Sequence, residues 1–315
     1  MKIDIVIPNY NGELFLKNCI NSILSTDNIG YVDKIIIIDN NSQDKSLDSV
    51  NSSNAPIIIE KNNENYGFAK AVNQGIKMST NEYILLLNND TIVEDGFIHS
   101  LIECIRSSNE IFSVSSKMLQ YHNLNLIDDA GDFYNILGWA RKRGDGKSSN
   151  LLTEKKNIFS ACAGAALYNR KVFDEIGYFD ENFFAYLEDI DIGYRAQIFG
   201  YKNIYCPNAI VHHIGSGTSG SKYNEFKVKL SGRNNIYLIY KNMPLLQIII
   251  NFPFLILGFI IKYLFFSKKQ LGKVYLSGVL EGISTFSRIK KTKFKLKNLV
   301  NYIKIQFWLI YSLLF

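Results

Sequence analysis

The chemistry-bearing residues stand out where apolar runs break. Tyr83 to Leu87 are five consecutive apolar residues, and Asn88-Asn89-Asp90-Thr91 follow at once. A carboxylate flanked by amide side chains offers hard oxygen ligands suited to Mg²⁺ or Mn²⁺; the competing reading is a strand closing in an Asn/Asp turn. Lys34 to Ile38 likewise runs into a carboxylate, Asp39, and then Asn40-Asn41-Ser42. Farther on, Glu188, Asp189 and Asp191 crowd three carboxylates into four residues at the start of a helical stretch. A helix N-terminus helps hold them, and mutual repulsion raises one pKa toward the range of a general base. Positions 188, 191 and 195 share a helix face, so Glu188 and Asp191 are expected to pair with Arg195 and leave Asp189 free. His212 and His213 are adjacent, and neighbours on an extended segment point to opposite sides; His213 is the preferred inward one, with His212 the alternative.

The elements that must position these groups follow from pattern. Residues 3–7 read as a strand ended by Pro8, with a polar turn Asn9 to Gly12 and a helix from Glu13 to Leu24. Strands follow at 34–38 and 57–59, a helix at 68–78 and a strand at 83–87; Ser42 is expected to cap a helix after the second strand. Strands alternating with helices, polar at each strand end, predict a doubly wound, mostly parallel α/β sheet. Ligands of such sheets bind at the carboxyl ends of the strands. No Gly-x-Gly-x-x-Gly follows the first strand, which disfavours a dinucleotide site. Later elements are a short strand at 203–206 and a helix at 170–176. The small residues Ala161, Ala163, Gly164, Ala165 and Ala166 either leave room for a ligand or pack a strand closely against a helix.

The chain of 315 residues is 47% hydrophobic and 20% charged, which is globular rather than disordered. Cys19, Cys104, Cys162 and Cys206 lie far apart, implying neither a zinc site nor a disulfide framework, and a reducing cytosolic setting fits. The first residues do not resemble a signal peptide. The net charge of +6 is unevenly spread: residues 241–315 hold twelve Lys/Arg and one acid, Glu281, or +11, leaving −5 for residues 1–240. That segment is also rich in Leu, Ile and Phe, a combination that suits an anionic membrane surface rather than nucleic acid. Leu245 to Ile261 is slightly short for a spanning helix, though Tyr263 to Phe266 could extend it past a snorkelling Lys262. Lys290 to Lys297 carries five lysines ahead of the aromatic stretch Phe307-Trp308-Leu309-Ile310-Tyr311, a pattern of interfacial helices.

Five blocks, VIPNYNG, IIIIDNNSQD, NENYGFAKAVNQGI, YILLLNNDT and FFAYLEDIDIGYR, occur in that order between residues 6 and 195. Together they resemble glycosyltransferase family 2 enzymes of the GT-A fold, nearest the bacterial rhamnosyltransferase-like branch. The resemblance runs from residue 3 to about 242. It implies a catalytic domain over 1–242, with a nucleotide-sugar half (1–120) and an acceptor half (121–242), and a membrane-associating helical region over 243–315. It implies a nucleotide and donor site formed by Pro8, Asn9, Tyr10, Asn11, Asp39, Asn41, Asn65, Gly67, Phe68, Asn89 and Arg233, with Asp39 accepting the imide N–H of uracil or thymine. Gly164, Ala165 and Glu188 are implied at the acceptor, Asp189 as general base, and Asp90 with His213 (or His212) as metal ligands. Asn88 stands where the family's Asp-x-Asp motif has its first acid, so one carboxylate remains.

The resulting expectation is an inverting, metal-dependent transferase, using Mg²⁺ or Mn²⁺, that moves L-rhamnose from dTDP-rhamnose to a lipid-linked or polysaccharide acceptor at the cytoplasmic face of the membrane. Alternatives are a UDP-hexose or galactofuranose transferase of the same family, a catalytically weak membrane scaffold, and a nucleotidyltransferase. The last would need a Gly-rich basic loop that residues 8–16 lack. Oligomerisation is left open.

Overall fold

The computed structural model describes residues 1–48, 50, 56–215 and 223–314. In chain order the strands are β1 (Ile3–Asn9), β2 (Val32–Asp39), β3 (Ile57–Lys61), β4 (Tyr83–Leu87), β5 (Thr91–Val93), β6 (Ile111–Gln120), β7 (Asn123–Asp129), β8 (Asp132–Tyr134), β9 (Ala140–Lys142), β10 (Lys156–Ile158), β11 (Ala165–Asn169) and β12 (Lys202–His213). The helices are α1 (Leu16–Leu24), α2 (Gly67–Met78), α3 (Phe97–Arg106), α4 (Arg170–Ile176), α5 (Glu188–Ile198), α6 (Glu225–Asn242), α7 (Leu245–Ser267), α8 (Gly272–Thr285) and α9 (Leu299–Tyr311).

The main sheet runs β10-β12-β6-β11-β4-β1-β2-β3, with β5 added on β12 and β7 on β6. Strands β3, β2, β1 and β4 are mutually parallel, β11 enters antiparallel between β4 and β6, and β12 lies parallel to β6. The reversed β11 makes the sheet mixed, yet the carboxyl ends of β1, β2 and β4 still open on one edge. Those strands are continuous apolar runs because both of their faces are covered. Ile5, Ile7, Ile35, Ile37, Leu85 and Leu87 join one core cluster with α1 and α3, whereas Val6, Ile36, Ile38, Ile84 and Leu86 join another with α2.

Three local expectations are corrected. No helix follows Ser42 among the described residues: its hydroxyl donates to Asp39 Oδ1 at 2.6 Å and its N–H to Asp39 Oδ2 at 3.0 Å. Such local side-chain bonds compete with helix formation. The strand expected at 203–206 continues to His213, because an irregularity between Tyr205 and Ile210 absorbs Pro207 and the chain then re-pairs with β6. The helix expected from Glu13 begins at Leu16.

The C-terminal helices share an apolar cluster with the second half of the sheet domain. Leu255, Ile289, Tyr302 and Leu309 pack with Tyr134, Phe159 and Tyr194. Helices α6 and α8 approach closely, for a Cβ on Gly278 would overlap the Lys229 carbonyl.

Candidate active site

The carboxyl ends of β1, β2 and β4 are tied together by amides. Asn89 Nδ2 donates to Asn9 Oδ1 at 2.8 Å, and Asn9 Nδ2 donates to Asp39 Oδ1 at 2.8 Å. All three side chains are buried. Asn9 and Asn89 lie on the floor of a crevice of about 1190 Å³ whose lining also includes Pro8, Tyr10, Asp90, His213, Gly164, Glu188 and Asp189; Asp39 is not in that lining.

Asp90 lies in the short turn between β4 and β5. Its Oδ1 lies 3.4 Å from His213 Nε2, a residue brought across by the pairing of β12 with β5, which sets His213 opposite Thr91. A carboxylate oxygen and an imidazole nitrogen at this separation fit two ligands of one divalent cation, whose bonds to such atoms run at about 2.0–2.2 Å. The other ring nitrogen, Nδ1, lies 2.8 Å from Asp128 Oδ2, the carboxylate contact that orients ligating histidines. Burial works against a charged His213, but the Asp128 hydrogen bond and Asp90 outweigh it and lift its pKa to about 9. His213 lines the crevice, whereas His212 Nε2 lies 2.7 Å from Glu94 Oε1 and is not in that lining.

Asp189 is the second residue of α5, which follows a loop in which Phe184, Tyr186 and Leu187 all have positive φ, at 65°, 69° and 69°. Left-handed non-glycine residues cost about 1 kcal/mol or more each and persist where surroundings over-determine them. The surroundings are visible here: Asn234 Nδ2 lies within 2.9 Å of the carbonyls of Phe183, Ala185 and Tyr186, and Gly67 presses against the Phe184 carbonyl where a Cβ would not fit. Burial raises the Asp189 pKa to about 6, opposed by the N–H of Ile190. Burial and the nearby Asp189 raise Glu188 well above its usual range, and its Oε2 has no hydrogen-bond partner.

The pairing expected on α5 is half right. Asp191 takes Arg195 at 2.7 Å and also Lys241 at 3.0 Å, so burial is overcome and its pKa falls. Glu188 instead faces the crevice.

Other expected residues lie elsewhere. Arg233 does not line the crevice: it bonds the carbonyls of Asn182 and Phe183 and pairs with Glu281 at 3.3 Å, because α6 turns it toward the loop it helps brace. Ala165 is fully buried in β11 opposite Leu87, whereas its neighbour Gly164 does line the crevice. Asn11 and Asn41 form an outer clasp, Asn11 Oδ1 accepting from Gln43 N–H at 2.9 Å and Asn41 Oδ1 from Gln43 Nε2 at 3.1 Å. Asp39 is 2% exposed, and both of its oxygens accept hydrogen bonds within the protein. Asn65, Gly67 and Phe68 line the crevice, with Asn65 Oδ1 receiving the Gly67 N–H at 2.9 Å. Ser216 to Thr218, next to the histidines, lie outside the described residues.

Sequence reasoning missed Asp128, Asp129, Asp132 and Lys142, all of which line the crevice. Asp128 is bonded to Lys142 at 2.9 Å, while burial raises Asp129 to about 7 and Asp132 well above its usual value. The signal was present as the acid-dense run Asp128-Asp129-Ala130-Gly131-Asp132 closing β7.

A mixed sheet that gathers a carboxylate–histidine pair and a separate acid at the carboxyl edge of its parallel strands defines a protein of the GT-A class. Solved structures agree in fold. The protein titled GalNAc-T7 with UDP, GalNAc and Mn²⁺ superposes with a TM-score of 0.62 at 18% identity, covering 76% of this chain and 47% of that one. The mannosyltransferase PcManGT from Pyrobaculum calidifontis, with GDP-Man and Mn²⁺, gives 0.56 at 11% identity over 98% and 87%. Among curated sequences, the poly-beta-1,6-N-acetyl-D-glucosamine synthase of Staphylococcus epidermidis is 24% identical over 71% of this chain and 52% of its own length. The O-antigen chain rhamnosyltransferase RfbN of Salmonella typhimurium is 24% identical over 72% and 70%. The chain spans about half the length of the synthases it matches. The family described as Glycosyl transferase family 2 matches residues 4–177, more than half of the 315. The chain belongs to glycosyltransferase family 2.

Proposed function

We propose that this chain is an inverting glycosyltransferase of cell-surface glycan synthesis. The observation that carries the reading is that Asp90 with His213, and Asp189, line one crevice above the strand ends. The acceptor hydroxyl attacks the anomeric carbon, its proton passes to Asp189, and the bond from that carbon to the diphosphate breaks with its electron pair leaving on the diphosphate oxygen. Asp90 and His213 would hold a divalent cation, which would supply Lewis-acid stabilisation of that leaving charge. Glu188, kept neutral by burial, donates a hydrogen bond to a sugar hydroxyl beside the base. The base of the nucleotide lies against Pro8, Asn9 and Tyr10, with Asp39 Oδ2 as acceptor for the imide N–H of thymine or uracil.

The donor reading is dTDP-L-rhamnose, supported by the likeness to RfbN; UDP-N-acetylglucosamine is the competing donor, supported by the synthase likeness. The acceptor is a lipid-linked or polymeric glycan at the cytoplasmic face of the membrane, supported by the single helix, Leu245–Ser267, that among the described residues is long and apolar enough to cross one. The purified chain is assayed with Mn²⁺ and a panel of sugar nucleotides for release of nucleoside diphosphate. Release from one donor that is lost in Asp189→Asn supports the proposal. A panel with no release, or full activity in Asp189→Asn, overturns it.

A further inference from the structure

Helix α7 is built inside out. Its buried residues are Gln247, Asn251, Leu255, Gly258 and Phe266, so both of its uncharged polar residues near the start face inward, while Leu246, Ile250, Phe254, Leu257, Ile261 and Leu264 are exposed. A helix on a water-soluble surface carries the opposite pattern, with polar residues outward. The inward polar groups are satisfied by the protein: Gln247 Nε2 donates to Gln306 Oε1 at 2.9 Å and its Oε1 accepts from Tyr194 Oη at 3.0 Å, while Asn251 Nδ2 donates to Gln306 at 3.0 Å. The other two C-terminal helices also turn apolar residues outward. On α9 the inward residues are Tyr302, Ile305 and Leu309, and Ile303, Phe307 and Ile310 are exposed; on α8 three glycines face inward and Leu276, Leu280 and Ile283 are exposed.

Along its length α7 is held by the catalytic domain and its neighbours. Gln247 meets α5 at one end, the Gly258 carbonyl accepts from Trp139 Nε1 at 3.1 Å in the middle, and Phe266 shares an apolar cluster with Val228 of α6 at the other. From residue 247 to 266 the helix rises about 28 Å. A helix flanked by the globular body over that distance cannot stand across a bilayer with the body outside it.

We infer that α7, α8 and α9 form a platform that lies in the plane of an anionic phospholipid bilayer, half embedded, rather than an anchor that spans it. This builds on the membrane-associated placement proposed above and fixes its geometry. Charge complementarity selects the occupant: residues 241–315 carry +11, and Lys290, Lys291, Lys293, Lys295 and Lys297, between α8 and α9, are all exposed. Lysines beside an apolar face bind anionic headgroups, each strengthening the partition about fivefold. The platform also adjoins the crevice, since Phe266 lines the crevice while Phe265 beside it is 42% exposed on the outer surface. The acceptor therefore reaches the site from the headgroup layer.

The full chain is floated with vesicles of phosphatidylcholine alone or mixed with phosphatidylglycerol. Binding is expected on the mixed vesicles, falling with salt, and lowered roughly a hundredfold or more when the five lysines are replaced by Gln. Sugar-nucleotide hydrolysis by the same variant, expected unchanged, shows that it is folded. Leu245→Cys and Ser267→Cys are then labelled in sealed vesicles with a membrane-impermeant maleimide, and both are expected to react from the same side, above the native cysteines. Labelling from opposite sides overturns the in-plane platform and leaves membrane association standing. Equal flotation with both vesicle types, or a soluble dimer that ignores vesicles, overturns the anionic bilayer as occupant. Neither result touches the proposed transferase activity, which is read separately in solution.

Discussion

The base role of Asp189 makes a quantitative claim about pH. Burial lifts this carboxyl to about 6, from the usual value near 3.9. At pH 5 a group with pKa about 6 is ~9% ionised, whereas one at 3.9 is ~93% ionised, so the two cases differ about tenfold in available base. Turnover at saturating donor and Mn²⁺ should therefore fall with unit slope below pH 6 and reach roughly a tenth of its plateau at pH 5. The linkage sign separates this from unfolding. A carboxyl whose folded pKa is raised contributes stability that is fully present below the unfolded value near 3.9 and is lost as pH rises through about 6. Acid thus protects the fold at this residue while silencing the base. The assay is release of nucleoside diphosphate between pH 4.5 and 8, with donor affinity measured at each pH to isolate the chemical step. Asp189→Asn should lower turnover about 10²–10⁴-fold with donor affinity retained. A flat profile down to pH 5, or a loss at pH 5 that tracks donor affinity, would refute the assignment.

Replacing Asp90 with Asn or His213 with Ala should each weaken Mn²⁺ binding in the presence of nucleoside diphosphate by at least about tenfold, measured by calorimetry; unchanged affinity removes the pair as a metal site. Asp39→Asn replaces a carboxyl oxygen acceptor and should weaken dTDP or UDP by about 1.5–3 kcal/mol, with GDP unaffected; equal loss for all three nucleotides would reduce Asp39 to holding Asn9 in place. Asn234→Ala releases three carbonyls of the strained loop before Asp189, so turnover should drop more than donor affinity, and stability should fall by about 1–3 kcal/mol in thermal melts. Asp191→Ala strands Arg195 and Lys241 in the core and should cost about 3–5 kcal/mol. In the unmodified chain, Asp191 carries a lowered pKa, so the stability it contributes is present above the usual carboxylate value and is lost as pH falls through its folded value. Melting curves of the parent and Asp191→Ala that stay parallel across acid pH would contradict that.

The sheet half of the molecule was legible because its strands are short apolar runs with polar stops: residues 83–87 coincide with β4 and 170–176 with α4. The same local logic failed after β2, where Asp39 and Asn9 hold Ser42 through side-chain bonds that no propensity describes. Which histidine faces Asp90 depends on the register of β12 against β5, a contact across about 120 residues, and so was not readable from neighbours. The family resemblance implies Arg233 at the donor site, yet the turn of α6 decides its direction. The inside-out character of α7 was hidden because its composition is apolar nearly all round; only the positions of Gln247 and Asn251 against the body reveal which side meets protein.

The chain of bonds from Asn89 through Asn9 to Asp39 has a thermodynamic consequence. These three side chains lose their rotamer freedom when the protein folds, and that entropy is spent before any ligand arrives. A nucleotide settling on this floor meets groups already in position, and its association should carry a small ordering penalty for the receptor. The selectivity of such a rigid seat comes from what fails to fit, so a base presenting the wrong edge is turned away instead of accommodated.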